Sequence, residues 1–349
     1  MYINDMRSLA LMARGKGIPI SGLFELTSRC NLHCGFCYVC DRDKYMESPP
    51  EKTAGEWLYL IREAADQGLL KCTFTGGDPF MREDFEEIYC KAYDMGLRVG
   101  IFTNGILIGK KQRAYLSKRV PDLISISMYG ASEEAYRTIC GSEGNYRRLM
   151  DSLDGLHAAG LAFELKVLAM RPLMNEYEAM GRIAAMYHCP GKFDVYMCPG
   201  RDDPKRHLRD FRLPPAQIME LYRSFRKPQP PFSQVPEEKR SNSHSGVFHC
   251  GAGRDSFMIT YDGRMLGCPS LTCFDTYPLR DGFTNAWSAL KDLIRNAEAC
   301  SECEDCRERD RCYICPANRL SETGTITKCS PYLREMLCSM ADMDWEVSG

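Results

Sequence analysis

From residue 23 to residue 197 the sequence alternates between short apolar runs and longer segments with helical spacing. The runs at 23–27, 72–75, 97–102, 123–128, 162–169 and 193–197 read as strands. The segments 53–67, 84–95, 110–119, 145–159 and 176–187 read as helices; in the first, Trp57, Leu60, Ile61 and Ala64 share one face. Strand–helix–strand units with short connections give parallel strands joined by right-handed crossovers. The expected fold class is therefore α/β, as a doubly wound sheet or an incomplete barrel. In either, ligands gather at the C-terminal ends of the strands.

Three polar motifs sit at those ends. Cys30, Cys34 and Cys37 follow the first strand, Gly76-Gly77-Asp78-Pro79 the second and Thr103-Asn104-Gly105 the third. Ser125 and Ser127 lie near the end of the fourth. Each alone has a bland reading as a turn or a pair of strand serines. Their joint placement at one mouth points to a site.

Composition narrows the class. The 45 basic and 47 acidic residues leave a net charge of -2, with no long block of one sign, which argues against nucleic acid as the main partner. No apolar run approaches the roughly 20 residues of a membrane span, and the N-terminus lacks a signal peptide's apolar core. A cytoplasmic location is expected. There, 19 cysteines point to metal or redox chemistry before disulfides.

Two cysteine groups stand out. Cys30-x3-Cys34-x2-Cys37 can face one inorganic centre. Zinc would need a fourth ligand, from Cys40 or His33. A four-iron cluster held by three thiolates would keep one iron open for a ligand. The second group reads Cys250-x12-Gly263-x4-Cys268, then Cys303-x2-Cys306-x5-Cys312-x2-Cys315, then Cys329. By spacing alone it suits a zinc ribbon or iron–sulfur ligation. Cys72, Cys90, Cys140, Cys189 and Cys198 are scattered and read as small core residues.

At the motif Cys30-Asn31-Leu32-His33-Cys34-Gly35-Phe36-Cys37 the chain resembles the radical S-adenosylmethionine superfamily, and its C-terminal cysteines resemble the SPASM extension of that superfamily. The resemblance implies an incomplete (β/α)6 barrel followed by a small cysteine-rich SPASM domain. It implies a [4Fe-4S] cluster on Cys30, Cys34 and Cys37, with S-adenosylmethionine bound at the open iron and cleaved by one electron to a 5′-deoxyadenosyl radical. Cofactor contacts are then expected from Phe36, Gly76, Gly77, Asp78, Pro79, Thr103, Asn104, Ser125 and Ser127. Asp78 stands where the family usually has Glu.

The resemblance further implies two auxiliary iron–sulfur clusters. The outer would take Cys303, Cys306, Cys312 and Cys329, and the inner Cys250, Cys268 and Cys315, with Cys273 or an open site completing it. Two residues, Tyr313 and Ile314, separate Cys312 from Cys315 where the family has three. Cys300 and Cys338 are spare.

The expected organisation is an N-terminal segment (1–22), the partial barrel (23–200), a proline-rich connector (201–245) holding one helix at 215–226, the SPASM domain (246–338) and a tail (339–349). Asp262-Gly263, flanked by 257–260 and 264–266, reads as a hairpin.

The function implied is modification of a ribosomally made peptide by thioether or carbon–carbon crosslinking or a related oxidation. A small-molecule or haem-pathway oxidase is the alternative enzyme reading, and an iron–sulfur electron carrier the non-enzymatic one. The partners implied are a precursor peptide and a reductant such as flavodoxin or ferredoxin. Only about 22 residues precede the first strand, so the peptide is expected to be recognised by a separate protein or by the barrel itself. Asp275 and Tyr277 are the candidates for proton transfer, because Pro269 follows Cys268 where sulfatase-maturing members carry an Asp.

Overall fold

The computed structural model describes residues 6–39, 50–141, 143–201, 208–225, 247–248, 250–306, 312 and 314–341. Cys40, Tyr313 and most of the expected connector lie outside the described residues. Helix α1 (Met6–Lys16) leads into β1 (Ser21–Glu25). The repeating units follow: α2 (Ala54–Asp66), β2 (Lys71–Thr75), α3 (Phe85–Asp94), β3 (Arg98–Thr103), α4 (Lys110–Lys118) and β4 (Leu123–Ser127). Next come α5 (Glu133–Cys140), α6 (Asn145–Ala158), β5 (Glu164–Leu168), α7 (Tyr177–Met186) and β6 (Gly191–Asp194). Short helices α8 (Leu208–Phe211) and α9 (Pro215–Phe225) precede strands β7 (Ser256–Ile259), β8 (Met265–Leu266) and β9 (Asp275–Thr276). The chain ends in helices α10 (Pro278–Asp281), α11 (Phe283–Arg295), α12 (Pro316–Thr323) and α13 (Pro331–Ala341).

Strands β1 to β6 pair in sequential order and all in parallel. That is the incomplete α/β barrel expected from the alternation. A capping box starts α2: Thr53 accepts from the Glu56 amide at 3.2 Å, and the Glu56 carboxylate accepts from the Thr53 amide at 2.7 Å. Trp57, Leu60, Ile61 and Ala64 are buried beneath that cap. Phe24 meets Trp57, Phe74 and Phe257 at centroid separations of 6.4, 6.3 and 5.7 Å, so one β1 side chain joins a helix and both flanking strands.

Three features depart from the expectation. The sixth strand lies at Gly191–Asp194, earlier than its most apolar residues, because pairing with β5 fixes its register. Helix α5 fills a stretch between the strand at 123–128 and the helix at 145–159 for which no element was expected; Ser132 caps it, and Ala135, Tyr136, Ile139 and Cys140 are buried. The Asp262-Gly263 hairpin forms, but its first strand β7 also pairs in parallel with β1. The sheet therefore continues past the barrel to nine strands, with β1 inside it and the cysteine-rich region built onto it.

Helix α11 covers that extension. Phe283, Ala286, Trp287, Leu290 and Ile294 form its buried stripe, and the Trp287 indole N–H donates to the Gly17 carbonyl at 2.9 Å.

Candidate active site

The loop after β1 is held from both sides. The Leu26 amide donates to Thr75 O, the Gly77 amide to Thr27 O and the Asp78 amide to Arg29 O, at 2.9, 2.8 and 2.8 Å. On the other side the His33 amide donates to Cys140 O at 3.0 Å and the Gly35 amide to Ile139 O at 3.3 Å. The glycine pair is required by this clamp. A Cβ at Gly76 would sit 2.4 Å from Thr27 O, and one at Gly77 would sit 2.2 Å from Arg29 O.

Cys30, Cys34 and Cys37 are partly buried. They lie near enough that charge on Cys30 or Cys37 acts on Cys34. Cys140, read as a core residue, reaches the same place: its thiol lies 3.7 Å from that of Cys34. That contact, together with burial and the surrounding thiols, pushes the Cys34 thiol well above its ordinary pKa.

Asp78 organises the next two motifs. Its Oδ2 accepts from Thr103 Oγ1 at 2.7 Å and from the Asn104 amide at 2.9 Å, while Oδ1 accepts from the Phe80 amide at 3.0 Å. It is fully buried, and burial lifts it to about 6 despite those donors. Pro79 is buried behind it at the start of a 3-10 turn. Asn104 Nδ2 donates to Asn31 Oδ1 at 2.8 Å and to Cys30 Sγ at 3.6 Å, so it holds the cysteine loop as well as the turn. Ser125 is buried on β4, and Ser127 is half-buried on the same face two residues on. Phe36 stacks edge-on to Tyr129 at 5.6 Å and against Phe211 at 5.5 Å.

Charge on Cys250 and Cys315 acts on Cys268, and charge on Cys250 acts on Cys315. Burial pushes the Cys268 thiol up to about 12, against backbone N–H groups of Ser270 and Leu271 that favour its thiolate. Cys315 caps α12, where the amides of Ala317 and Asn318 act in the same way. Cys303, Cys306, Cys312 and Cys329 form the other group: Cys312 feels Cys306 and Cys329, and Cys303 feels Cys312. Cys273 is exposed, and no other thiol among the described residues acts on it. Cys300 is buried and bonded to Cys303, and Cys338 is partly buried.

Among the described residues, no three His, Cys, Asp or Glu side chains converge closely enough to hold a single metal ion. Three groups of thiols with backbone N–H donors on several of them are the donor set that an iron–sulfur cluster takes.

Residues 24–177 match the family model of the radical SAM superfamily. This region is a radical SAM domain. Its family binds a [4Fe-4S] cluster and S-adenosylmethionine, and the loop with Cys30, Cys34 and Cys37 begins at the end of its first strand. A PqqA peptide cyclase of Rhizobium meliloti (strain 1021) is 30% identical over 166 residues, which is 48% of this chain and 44% of that protein. A PqqA peptide cyclase of Granulibacter bethesdensis is 29% identical over 46% of this chain and 43% of its own. The chain thus aligns with less than half the length of these relatives.

Among solved structures, Streptococcus suis SuiB bound to precursor peptide SuiA superposes with a TM-score of 0.71 at 16% identity, over 95% of this chain and 82% of that one. Native anSMEcpe with bound AdoMet superposes at 0.65 and 15% identity, over 92% and 96%. These likenesses extend beyond the radical SAM domain through the cysteine-rich region of the fold.

Several residues that shape the site were not singled out by sequence. Glu25 and Arg201 form a buried ion pair beneath the cysteine loop. The Cys198 thiol lies 3.1 Å from Ser270 Oγ and 3.6 Å from Ser321 Oγ, beside the Cys268 loop. Arg319 donates from Nη2 to Cys303 Sγ at 3.3 Å. A lone apolar-flanked cysteine or a helical arginine carries no spacing signal. Asp275 and Tyr277 bond each other at 3.4 Å on edge strand β9 and its flank, with Arg264 Nη1 3.9 Å from Asp275.

Proposed function

We propose that this protein is a radical SAM enzyme of the SPASM type that crosslinks or otherwise oxidises a ribosomally made precursor peptide. The observation that carries the reading is the fold-wide superposition on SuiB bound to its precursor peptide. Sequence relatives named PqqA peptide cyclase support it. Cys30, Cys34 and Cys37 would hold the radical cluster, and with S-adenosylmethionine bound there the site would supply hydrogen-abstraction chemistry. The Gly76-Gly77 backbone, Asp78, Thr103, Asn104, Ser125 and Ser127 shape the cofactor cleft, and Pro79 and Phe36 wall it.

Two auxiliary iron–sulfur clusters complete the proposal. Cys250, Cys268 and Cys315 hold the inner one and Cys303, Cys306, Cys312 and Cys329 the outer. The isolation of Cys273 supports an inner cluster with a site open to substrate, such as a peptide thiolate. No disulfide joins the described cysteines, which suits a cytoplasmic protein served by a reductant of the flavodoxin or ferredoxin class. Peptide binding is assigned to the barrel or to a separate recognition protein.

The test is incubation of anaerobically reconstituted, reduced enzyme with candidate precursor peptides. Release of 5′-deoxyadenosine together with loss of two hydrogens from one peptide supports the proposal. Turnover of a small molecule with every peptide unchanged overturns it.

A further inference from the structure

Arg319 is a buried cation: only 7% of its surface is exposed, and among the described residues no acidic side chain pairs with it and its buried Nε has no hydrogen-bond partner. Its polar contact is the Cys303 thiol, 3.3 Å from Nη2. Its charge favours the thiolates of Cys303 and Cys312, and more weakly that of Cys315. Arg334, the other cation at this group, also bonds a thiol, that of Cys329, but its side chain is half exposed and paired with Glu302 at 3.1 Å. A buried guanidinium is costly to desolvate unless opposite charge compensates it. Among the described residues the negative charge offered to Arg319 is that of the thiolates, and one sits at the first turn of its own helix, where the Arg319 amide donates to Cys315 O at 3.1 Å.

Resting on the auxiliary-cluster reading above, we propose that Arg319 is the cation that raises the reduction potential of the outer auxiliary cluster. The potential of such a cluster is set by net charge, hydrogen bonds to sulfur and exposure. Reduction adds one negative charge to the cluster. A buried positive charge hydrogen-bonded to a ligand sulfur stabilises the reduced form more than the oxidised one. The solvent-exposed, carboxylate-paired Arg334 is screened and contributes little. Arg319 is thus a tuning residue that acts through Cys303.

The test is an EPR-monitored redox titration of protein with Cys30, Cys34 and Cys37 changed to Ala, which removes the radical cluster's signal. The outer cluster's signal is the one lost on further change of Cys306 to Ala. Arg319→Gln is expected to move its midpoint to more negative potential with the iron content kept, and Arg319→Lys to move it less. An unchanged or higher midpoint in Arg319→Gln overturns the inference alone. Absence of any auxiliary signal in the parent overturns the auxiliary-cluster reading and the inference with it. If Arg319→Gln fails to retain iron, Arg319→Lys decides: a midpoint below the parent supports the proposal, and one at or above it overturns it.

Discussion

Arg201 meets Glu25 with both arms of its guanidinium, at 2.9 Å to each carboxylate oxygen, where Glu25 is fully buried. The same arginine donates from Nε to Pro269 O at 3.1 Å, and its amide donates to Tyr38 O at 3.2 Å. Its guanidinium lies 5.4 Å from the centre of the Tyr38 ring. Tyr38 follows Cys37 and Pro269 follows Cys268. One buried ion pair therefore fixes the end of β1, the radical-cluster loop and the inner auxiliary loop against one another.

Removing either partner strands a buried charge. Arg201→Ala or Glu25→Ala is expected to cost about 3–5 kcal/mol of stability. The double variant should cost clearly less than the two single effects together, because no lone charge remains. Denaturant unfolding of the four proteins measures this. Strict additivity would show that the two side chains do not act as a pair.

Changing Cys30, Cys34 and Cys37 together to Ala is expected to reduce reductive cleavage of S-adenosylmethionine to background, because the cluster whose open iron binds it loses its three ligands. Iron should still be present, since Cys250, Cys268, Cys315 and the outer group are untouched. Release of 5′-deoxyadenosine by the triple variant would place the radical site elsewhere.

The metal inventory tests the auxiliary groups independently. Three four-iron clusters correspond to about twelve irons per chain, and a two-iron inner cluster to about ten. Reconstituted protein should approach these values with little zinc by elemental analysis. About four irons accompanied by zinc would count against both auxiliary clusters.

Asp78 gives a pH signature. Burial raises its carboxyl in the folded protein from 3.8 to about 6. Between those values the folded state holds more protons than the unfolded one, so this group's contribution to stability falls as pH rises through the window. At about 1.4 kcal/mol per pKa unit the full swing is about 3 kcal/mol. Asp78→Asn is expected to flatten the stability profile between pH 4 and 6, whatever its effect on absolute stability. Parallel profiles for the two proteins would show that Asp78 titrates normally. Bound S-adenosylmethionine changes the surroundings of this carboxyl, so the comparison is made without it.

The barrel was legible because each of its signals is local. The period of Trp57, Leu60, Ile61 and Ala64 and the short apolar runs read as strands act within a few residues. The three mouth motifs were legible for the same reason, since strand ends converge wherever strands run parallel. What escaped was tertiary. The pairing of β7 with β1 depends on a partner over 230 residues away in sequence. Cys140 and Cys198 look like core cysteines until α5 and the loop after β6 carry them to Cys34 and Ser270. Arg201 and Glu25 are ordinary surface types whose pairing no spacing reveals. The short α11 stripe was hidden among turn-rich neighbours, although its apolar period was present in the sequence.

The last prediction separates two peptide chemistries. Sulfatase-maturing members of the superfamily place an Asp directly after the cysteine equivalent to Cys268, where it is proposed to take a proton. Here Pro269 occupies that position, has no titratable group, and its carbonyl is engaged by Arg201. Asp275 sits on edge strand β9 opposite Leu266, bonded to Tyr277 and near Arg264. Reaching the barrel mouth would require breaking those contacts and the strand pairing. No formylglycine is therefore expected on a Cys-x-Pro-x-Arg peptide, whereas crosslinking of a cysteine- or aromatic-containing precursor is expected. Reduced enzyme incubated with each peptide and read by mass spectrometry decides between them. A hydrazine-trapped aldehyde on the sulfatase-type peptide would sink the prediction and would return Asp275 or Tyr277 to consideration as the base.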